Sequence, residues 1–255
     1  MNFIAAGLSD VGLHREHNED SFCILSEHRL FVVADGMGGH RAGDVASRMA
    51  TAEMAAFFDA TSTDGVDWSS EDDSRLTPDQ HRLVSAVKLA NQRIFQASVQ
   101  NRSVQGMGTT VVGALYARQD RKIHIAHVGD SRAYRIRSGA IAQLTRDHSL
   151  VNDYLLVMPN LTMAQKERLP SNVITRALGM QDGVAVDLYF ENVQPGDVYV
   201  LCSDGLNGMV SDERILKIVH EAGADVEIAA KALIAQANRN GGEDNITVVI
   251  VRITE

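Results

Sequence analysis

Cysteine is scarce in this sequence, which has only Cys23 and Cys202, both inside apolar runs. Two cysteines cannot make the disulfide framework of a small secreted scaffold. Because both lie in apolar runs, they are most simply interpreted as small hydrophobic residues of a core. This scarcity is typical of a protein from a reducing compartment.

Long apolar runs are missing as well. No run approaches the roughly 20 apolar residues that a membrane-spanning helix needs. Residues 1–10 also lack the basic region and the apolar stretch of a signal peptide. The sequence therefore predicts a cytoplasmic protein that makes no use of a membrane.

An excess of basic residues is the third absence, since 24 basic and 33 acidic residues give a formal net charge of −9. Proteins that bind nucleic acid recruit Lys and Arg to the phosphate backbone. The acidic balance therefore argues against nucleic acid as a partner. It is partly explained if several carboxylates are metal ligands.

Short apolar runs rich in β-branched residues predict strands, and these runs come in blocks. Turns such as Ser138-Gly139 and Pro195-Gly196 favour antiparallel pairing. Strands in blocks, separated by pairs of helices, predict an α+β layered fold. The predicted strands are Phe3–Leu8, Phe22–Leu25, Leu30–Ala34, Thr109–Tyr116, Ile123–Val128, Ala133–Arg137, Val184–Phe190, Val198–Cys202 and Ile246–Ile253.

Helices are predicted from apolar residues at helical spacing. One begins with Thr77 as N-cap, Pro78 at the first position and Gln80 closing a capping box. Ser211 is placed to cap a later helix. The four helical segments are centred on Val45–Ala56, Leu83–Ala97, Ile215–Val219 and Val226–Asn238.

With 255 residues, of which 45% are hydrophobic, the chain can form one large domain over residues 1–255. Two segments are irregular in composition. Residues 61–74 predict a solvated loop between two helices. Residues of about 150–172, with Pro159, Pro170 and a short helical patch near Leu161–Leu169, predict a flap.

Four aspartates lie in tight turns of small residues beside apolar runs: Asp35, Asp130, Asp204 and Asp244. A carboxylate at the edge of a core must be paired or solvated. Each one alone is most simply a turn-forming residue, but the repetition predicts carboxylates gathered around divalent cations. Oxygen ligands without Cys or His suit Mg²⁺ or Mn²⁺ rather than zinc.

A further acidic pair, Glu19-Asp20, follows Arg15 and leads into a predicted strand. Adjacent residues on an extended backbone point to opposite faces. Only one of the two carboxylates can therefore face a shared metal site directly.

These motifs together carry a resemblance to a known family. The chain resembles the metal-dependent protein phosphatases, that is, the type 2C serine/threonine phosphatases. The sequence of residues 35–40 is similar to that of the bacterial branch. Eight segments carry this resemblance, in the family's order: Arg15-x-x-Asn18-Glu19-Asp20, Ala34-Asp35-Gly36-Met37-Gly38-Gly39-His40, Gly108-Thr109-Thr110, Gly129-Asp130-Ser131-Arg132, Leu144-Thr145-Arg146-Asp147-His148-Ser149, Arg176-Ala177-Leu178-Gly179, Ser203-Asp204-Gly205-Leu206 and Asp244-Asn245-Ile246-Thr247.

The resemblance implies a four-layer α-β-β-α sandwich of two antiparallel sheets flanked by helix pairs. It implies two Mn²⁺ or Mg²⁺ ions, with a third in bacterial relatives. The resemblance implies that Asp35 bridges two ions, with Glu19 and the Gly36 carbonyl on one of them and Asp204 and Asp244 on the other. It implies that Asp130 binds the third ion together with Asp204. Arg15 is the implied phosphate-binding residue, and Asp20 and Asn245 are the implied supports of the ligands.

One departure from the family concerns the proton for the leaving group. Many eukaryotic relatives carry a His directly after Asp-Gly as the general acid, and here that position is Met37. His40 is nearby in sequence and is a candidate donor, as is a water on a metal. Support of the glycine-rich turn is the alternative role for His40.

The predicted function is hydrolysis of phosphoserine and phosphothreonine on proteins by a metal-activated water. Expected partners are phosphorylated proteins, including a serine/threonine kinase of the same cell, and the expected state is a monomer. Two alternatives are a catalytically silent phosphoprotein-binding scaffold and a metal-dependent small-molecule phosphohydrolase. The filled set of carboxylate positions weighs against the silent scaffold.

Overall fold

The computed structural model describes residues 1–38, 42–62, 75–159, 162, 165, 169–170 and 173–255. Its strands form two antiparallel sheets. Within these ranges, no helix combines the length and the apolar composition needed to cross a bilayer.

The first sheet brings the two ends of the chain together. β1 pairs with the last strand along its whole length, from Asn2 opposite Thr254 to Asp10 opposite Ile246. The order across the sheet is β1 (Asn2–Asp10), β11 (Ile246–Thr254), β10 (Val198–Cys202), β7 (Arg132–Arg137) and β8 (Ala140–Gln143).

The second sheet has β3 near its centre, and the short β4 pairs with the end of that strand. The order is β2 (Asp20–Leu25), β3 (Leu30–Met37), β5 (Val111–Ala117), β6 (Lys122–Val128) and β9 (Asp187–Asn192), with β4 at Gly108–Thr109. All of these pairings are antiparallel.

The helices cover the outer face of each sheet. α1 (Ala42–Ala60) and α2 (Pro78–Gln100) pack on the second sheet, whereas α5 (Asp212–Glu221) and α6 (Val226–Arg239) pack on the first. Two shorter helices are α3 (Leu150–Val157) and α4 (Asp204–Asn207). Outside these, Arg102–Val104 forms one turn of 3₁₀ helix.

Strand β3 shows how the layers are encoded. Leu30, Val32 and Ala34 face the helices, while Phe31 and Val33 face the space between the sheets. A strand that is covered on both faces has a continuous hydrophobic run in its sequence, because alternate side chains enter two different cores. The predicted α+β sandwich with helices outside two antiparallel sheets is confirmed.

Local sequence signals also match the structure. Thr77 and Gln80 form the predicted capping box of α2, with Pro78 in its first turn. Ser138 and Gly139 both have positive φ, as a two-residue hairpin turn between β7 and β8 requires.

One predicted strand has the wrong start. Val184–Phe190 was expected to be extended, but β9 begins at Asp187, whose ladder partner is His127. The reason is that the Ala185 carbonyl accepts a hydrogen bond from Arg176 rather than from a strand. The predicted helical patch at Leu161–Leu169 falls largely outside the described residues.

Candidate metal centre

The acidic residues come from both sheets and meet at one edge. Asp35 lies near the end of β3, directly opposite Asp20 at the start of β2. Asp204 begins α4 directly after β10, and Asp244 precedes β11. Strands that end or begin at the same edge place their flanking side chains together, so residues distant in sequence share one site.

An open cleft of about 730 Å³ lies at this edge. It brings together most of the residues that the sequence singled out. Asp20 and Asp130 do not line it. The lining consists of Arg15, Glu16, His17, Glu19, Asp35, Gly36, Met37, Gly38, Ile174, Asp204, Asp244 and Asn245.

The backbone of Asp35 is fixed by Thr109 of β4 and by Thr110, which joins β4 to β5. The Asp35 N–H donates to Thr110 Oγ1 at 3.1 Å. The Asp35 carbonyl accepts from the Thr110 N–H at 2.8 Å and from Thr109 Oγ1 at 2.9 Å. Thr110 Oγ1 also lies 2.6 Å from Ser131 Oγ, beside Asp130. The Gly108-Thr109-Thr110 segment therefore positions Asp35, a role that its sequence alone does not indicate.

The carboxyl groups of the cluster perturb one another. Burial, followed by the charges of Asp20, Asp204, Asp130 and Asp244, raises the pKa of Asp35 well above its ordinary value. Burial and the charge of Asp244 raise the pKa of Asp204, although a hydrogen bond with the Asp35 carboxyl opposes this. Carboxylates so close together and removed from water call for cations or protons between them.

Asp130 lies between β6 and β7 and is not part of the cleft lining. Burial and then the charge of Asp204 raise the pKa of Asp130 to about 7. Its Oδ1 is buried and has no hydrogen-bond partner among the described residues. A buried carboxylate oxygen without a donor suits a cation, because leaving it unpaired costs free energy.

Glu19 reaches the cleft because two glycines make room for it. A Cβ on Gly36 would lie 2.1 Å from the Gly43 carbonyl oxygen, and one on Gly43 would lie 2.5 Å from Glu19 Oε2. The Gly36 N–H donates to the Glu19 carbonyl at 3.1 Å. Burial raises the pKa of Glu19. Its carboxylate lies against Gly43 in the first turn of α1, where the helix dipole stabilises a negative charge.

Asp20 and Asn245 contact the backbone and side chains that carry the cluster. Ser203 Oγ donates to Asp20 Oδ2 at 2.7 Å, which ties β2 to the turn before Asp204. Burial raises the pKa of Asp20 to about 7. Asn245 Oδ1 accepts from the Glu19 N–H at 2.8 Å, while Asn245 Nδ2 donates to the carbonyls of Val11 and His17. Both residues therefore brace segments that meet at the cleft.

Arg15 supplies positive charge at the rim. Its Nη2 donates to Asp244 Oδ2 at 2.7 Å, and its side chain is 54% exposed. A guanidinium in this position can contact a ligand that enters from solvent. Met37 lines the cleft and has no proton to donate. His40 lies outside the described residues, so its predicted role stays a prediction.

The base of the predicted flap touches the cleft. Ser149 and Ile174 form an isolated antiparallel bridge, and Ile174 lines the cleft wall. α3 starts the segment, with Ser149 as its N-cap. Most of residues 160–172 lies outside the described residues.

Two stacked antiparallel sheets with carboxylates gathered at their shared edge define an α+β protein with the side chains of a divalent-metal centre. The model of the protein phosphatase 2C family matches residues 14–229. The chain therefore belongs to the protein phosphatase 2C family, as the sequence motifs predicted.

Individual relatives agree with this assignment. The chain is 36% identical over 249 residues to the serine/threonine phosphatase stp of Listeria monocytogenes serotype 4b, covering 95% of this chain and 93% of that protein. The crystal structure of the Mycobacterium tuberculosis serine/threonine phosphatase PstP/Ppp superposes with a TM-score of 0.85 at 35% identity, covering 100% of both chains. The PstP catalytic domain in complex with two manganese ions gives 0.83 at 35% identity, covering 99% of both chains.

Proposed function

We propose that this chain is a metal-dependent phosphatase that hydrolyses phosphoserine and phosphothreonine on proteins with Mn²⁺ or Mg²⁺. The observation that carries the proposal is the meeting of Asp35, Asp204 and Asp244 in one open cleft, where burial and neighbouring carboxylates raise the pKa values of Asp35 and Asp204. Family membership and the manganese pair in PstP support it.

All of the proposed ligands except Asp130 line the cleft. Asp35 would lie between two ions, with Glu19 and the Gly36 carbonyl on one side. Asp204 and Asp244 would complete the other side, and Asp130 with Asp204 would hold a third ion. The donors are all oxygens, which hard divalent cations prefer. The buried, unpartnered Asp130 Oδ1 fits this assignment.

Bound ions supply Lewis acidity, which lowers the pKa of a water and offsets charge on phosphoryl oxygens. The chain's own residues supply positions. Arg15 at the rim would orient the phosphoryl group through charge-assisted hydrogen bonds. Asn245 and Asp20 would hold the segments of Glu19 and Asp204 in place, through the hydrogen bonds described above.

As a protein phosphatase, the chain acts on phosphorylated proteins. We further propose that a serine/threonine kinase of the same cell is among them, and that the protein works as a cytoplasmic monomer. We also propose that residues 1–255 are one catalytic domain, with a flap at about 150–172 and with His40 as a donor of the leaving-group proton.

The deciding experiment is turnover of phosphoserine and phosphothreonine peptides by the purified chain during Mn²⁺ titration. Nucleotides and small aryl phosphates serve as competing substrates. We expect metal-dependent hydrolysis that favours the peptides and stops in chelator. Hydrolysis that survives thorough metal removal would refute the proposal, and a preference for nucleotides would favour the small-molecule alternative.

Replacing Arg15 with alanine should lower kcat/KM for a phosphopeptide about ten- to hundredfold, because a hydrogen bond to a charged group contributes about 1.5–3 kcal/mol. Steady-state kinetics at saturating Mn²⁺ measures this. Arg93→Ala, on an exposed position of α2, is the matched control and should change nothing. Equal kinetics for the two variants would remove Arg15 from phosphate binding.

Manganese affinity should rise with pH. The pKa of Asp130 is about 7 and those of Asp35 and Asp204 are raised, so below neutral pH the metal must displace protons. The apparent dissociation constant should therefore increase as the pH falls from about 8 to about 6, and below the pKa of a displaced group the increase should approach about tenfold per pH unit for each displaced proton.

Calorimetry in two buffers of different ionisation enthalpy counts the protons released with Mn²⁺. Asp130→Asn is the matched control and should release fewer protons than the wild type. An affinity that is constant across this range, with no proton release, would mean that the carboxyls are already ionised without metal.

A further inference from the structure

A second group of side chains, which does not line the cleft, has the composition of a metal site. One ligand atom each from His127, His148 and Asp187 lies within 4.8 Å of the others. Both histidines are buried, whereas Asp187 is exposed. The two imidazole rings are stacked, with centroids 4.8 Å apart and planes inclined by 11°.

Hydrogen bonds decide which nitrogens of these rings carry protons. The Gly129 N–H donates to His148 Nδ1 at 3.0 Å, so Nδ1 must be bare. A neutral imidazole then carries its proton on Nε2, which lies 3.3 Å from Asp187 Oδ2. Burial lowers the pKa of His148, which favours this neutral form.

This tautomer excludes His148 as a neutral metal ligand. Metal binding by His148 would require a bare Nε2 and a proton on Nδ1, which would face the Gly129 N–H. His127 Nε2 lies 2.9 Å from the Arg146 carbonyl and acts as a donor, so only the bare His127 Nδ1 and the Asp187 carboxylate remain as ligand atoms. The Nδ1 of His148 therefore serves as the acceptor for the Gly129 N–H.

Gly129 is held by His148 at both of its polar backbone groups. Besides the bond to Nδ1, the His148 N–H donates to the Gly129 carbonyl at 2.9 Å. Gly129 has φ of +107°, and a Cβ there would lie 2.6 Å from the Thr110 side chain. The backbone that leads into Asp130 is thus fixed by one histidine and by close contact with Thr110.

The orientation of Asp130 depends on this backbone. Its Oδ1 has no hydrogen-bond partner among the described residues, so that oxygen is not held in place by a donor. We propose that His148 is a positioning residue that directs Asp130 toward a cation shared with Asp204. This inference rests on the proposed function, in which Asp130 and Asp204 hold a third ion.

The imidazole is itself held from the outside. Arg176 Nη1 lies 2.6 Å from Asp187 Oδ1 and also donates to the Ala185 carbonyl at 3.1 Å. The Asp187 carboxylate lies between Arg176 and His148, and its negative charge 3.3 Å from Nε2 favours the proton of His148 at that nitrogen. The His148 carbonyl accepts from the Thr175 N–H at 2.8 Å, next to Ile174 in the cleft wall. His148 therefore joins the Asp130 turn to the wall of the cleft.

Two substitutions of His148 separate its two nitrogens. Asparagine places Oδ1 at about the position of Nδ1 and can still accept from the Gly129 N–H. Glutamine places its amide near Nε2 and loses that acceptor. Calorimetric titration of the metal-free full chain with Mn²⁺ alone measures the binding of each ion, without dependence on turnover.

We expect His148→Gln to weaken binding of the weakest Mn²⁺ about tenfold or more, as losses of groups that orient metal ligands do. His148→Asn should stay within about threefold of the wild type, and the two tighter ions should be unaffected in both variants. Equal losses in both variants, or no loss in either, would overturn the inference. Binding of only two ions by the wild type would overturn it as well.

A second variant guards against misfolding of His148→Gln. Asp187→Ala removes an exposed carboxylate and frees the His148 tautomer, so it should also weaken the third ion, by about threefold or more. An unchanged third ion in this variant would contradict the inference. Should the wild type bind three ions yet hydrolyse no phosphopeptide, the proposed function fails while the contrast between the His148 variants still stands.

Discussion

Asp35→Asn should reduce phosphopeptide hydrolysis by at least about a thousandfold at saturating Mn²⁺, which exceeds the ten- to hundredfold typical of residues that only orient a ligand. The reason is that Asp35 lies where the charges of Asp20, Asp204, Asp130 and Asp244 all act, so it is the proposed bridge between two ions. Asparagine keeps the shape of the side chain but removes the charge. Steady-state turnover across a Mn²⁺ titration measures the loss.

The same variant should be no less stable than the wild type in chelator at neutral pH. The pKa of Asp35 is raised in the folded state, so its contribution to stability is present at low pH and is lost as the pH rises. Asparagine does not ionise and avoids that loss. Melting curves in chelator therefore serve as the control: a sharp fall in melting temperature would mean that lost activity reflects unfolding.

Manganese should raise the melting temperature of the wild type by about 5–10 °C at a hundredfold excess over its dissociation constant. Binding to the folded state alone contributes about 2.7 kcal/mol under these conditions. For a chain of this length, each kcal/mol shifts the melting temperature by about 2–4 °C. Scanning calorimetry with and without Mn²⁺ measures the shift.

Asp35→Asn and Asp204→Asn provide the comparison for the manganese effect. Their shifts should be much smaller, because each lacks a carboxylate of the cleft. A shift in Asp35→Asn equal to that of the wild type would place the stabilising ion elsewhere in the molecule.

Features encoded by adjacent residues could be predicted from the sequence. The capping box at Thr77 and Gln80 and the hairpin turn at Ser138-Gly139 each depend on a few neighbouring residues, and both lie where expected. The acidic cleft was predictable for another reason: each aspartate sits at the end of a recognisable strand. Strand ends at one edge of a sheet bring such residues together.

Contacts between distant elements could not be predicted in this way. The Asp35 carbonyl bonds to Thr109, and the Gly129 N–H bonds to His148, because of how strands and loops pair in space. The start of β9 at Asp187 depends on where Arg176 reaches the Ala185 carbonyl. Arg15 and Asp244, separated by 229 positions, meet for the same reason. No local pattern records such a pairing.

The division of the cleft between two sheets has a consequence for how the molecule matures. Asp35 belongs to one sheet, whereas Asp204 follows a strand of the other. On the proposed ligand set, a copy that is half synthesised or wrongly assembled lacks a complete cage for the ions. The chain would therefore become active only after both sheets have folded and packed together. Misfolded or incomplete copies would be inactive and would not dephosphorylate other proteins.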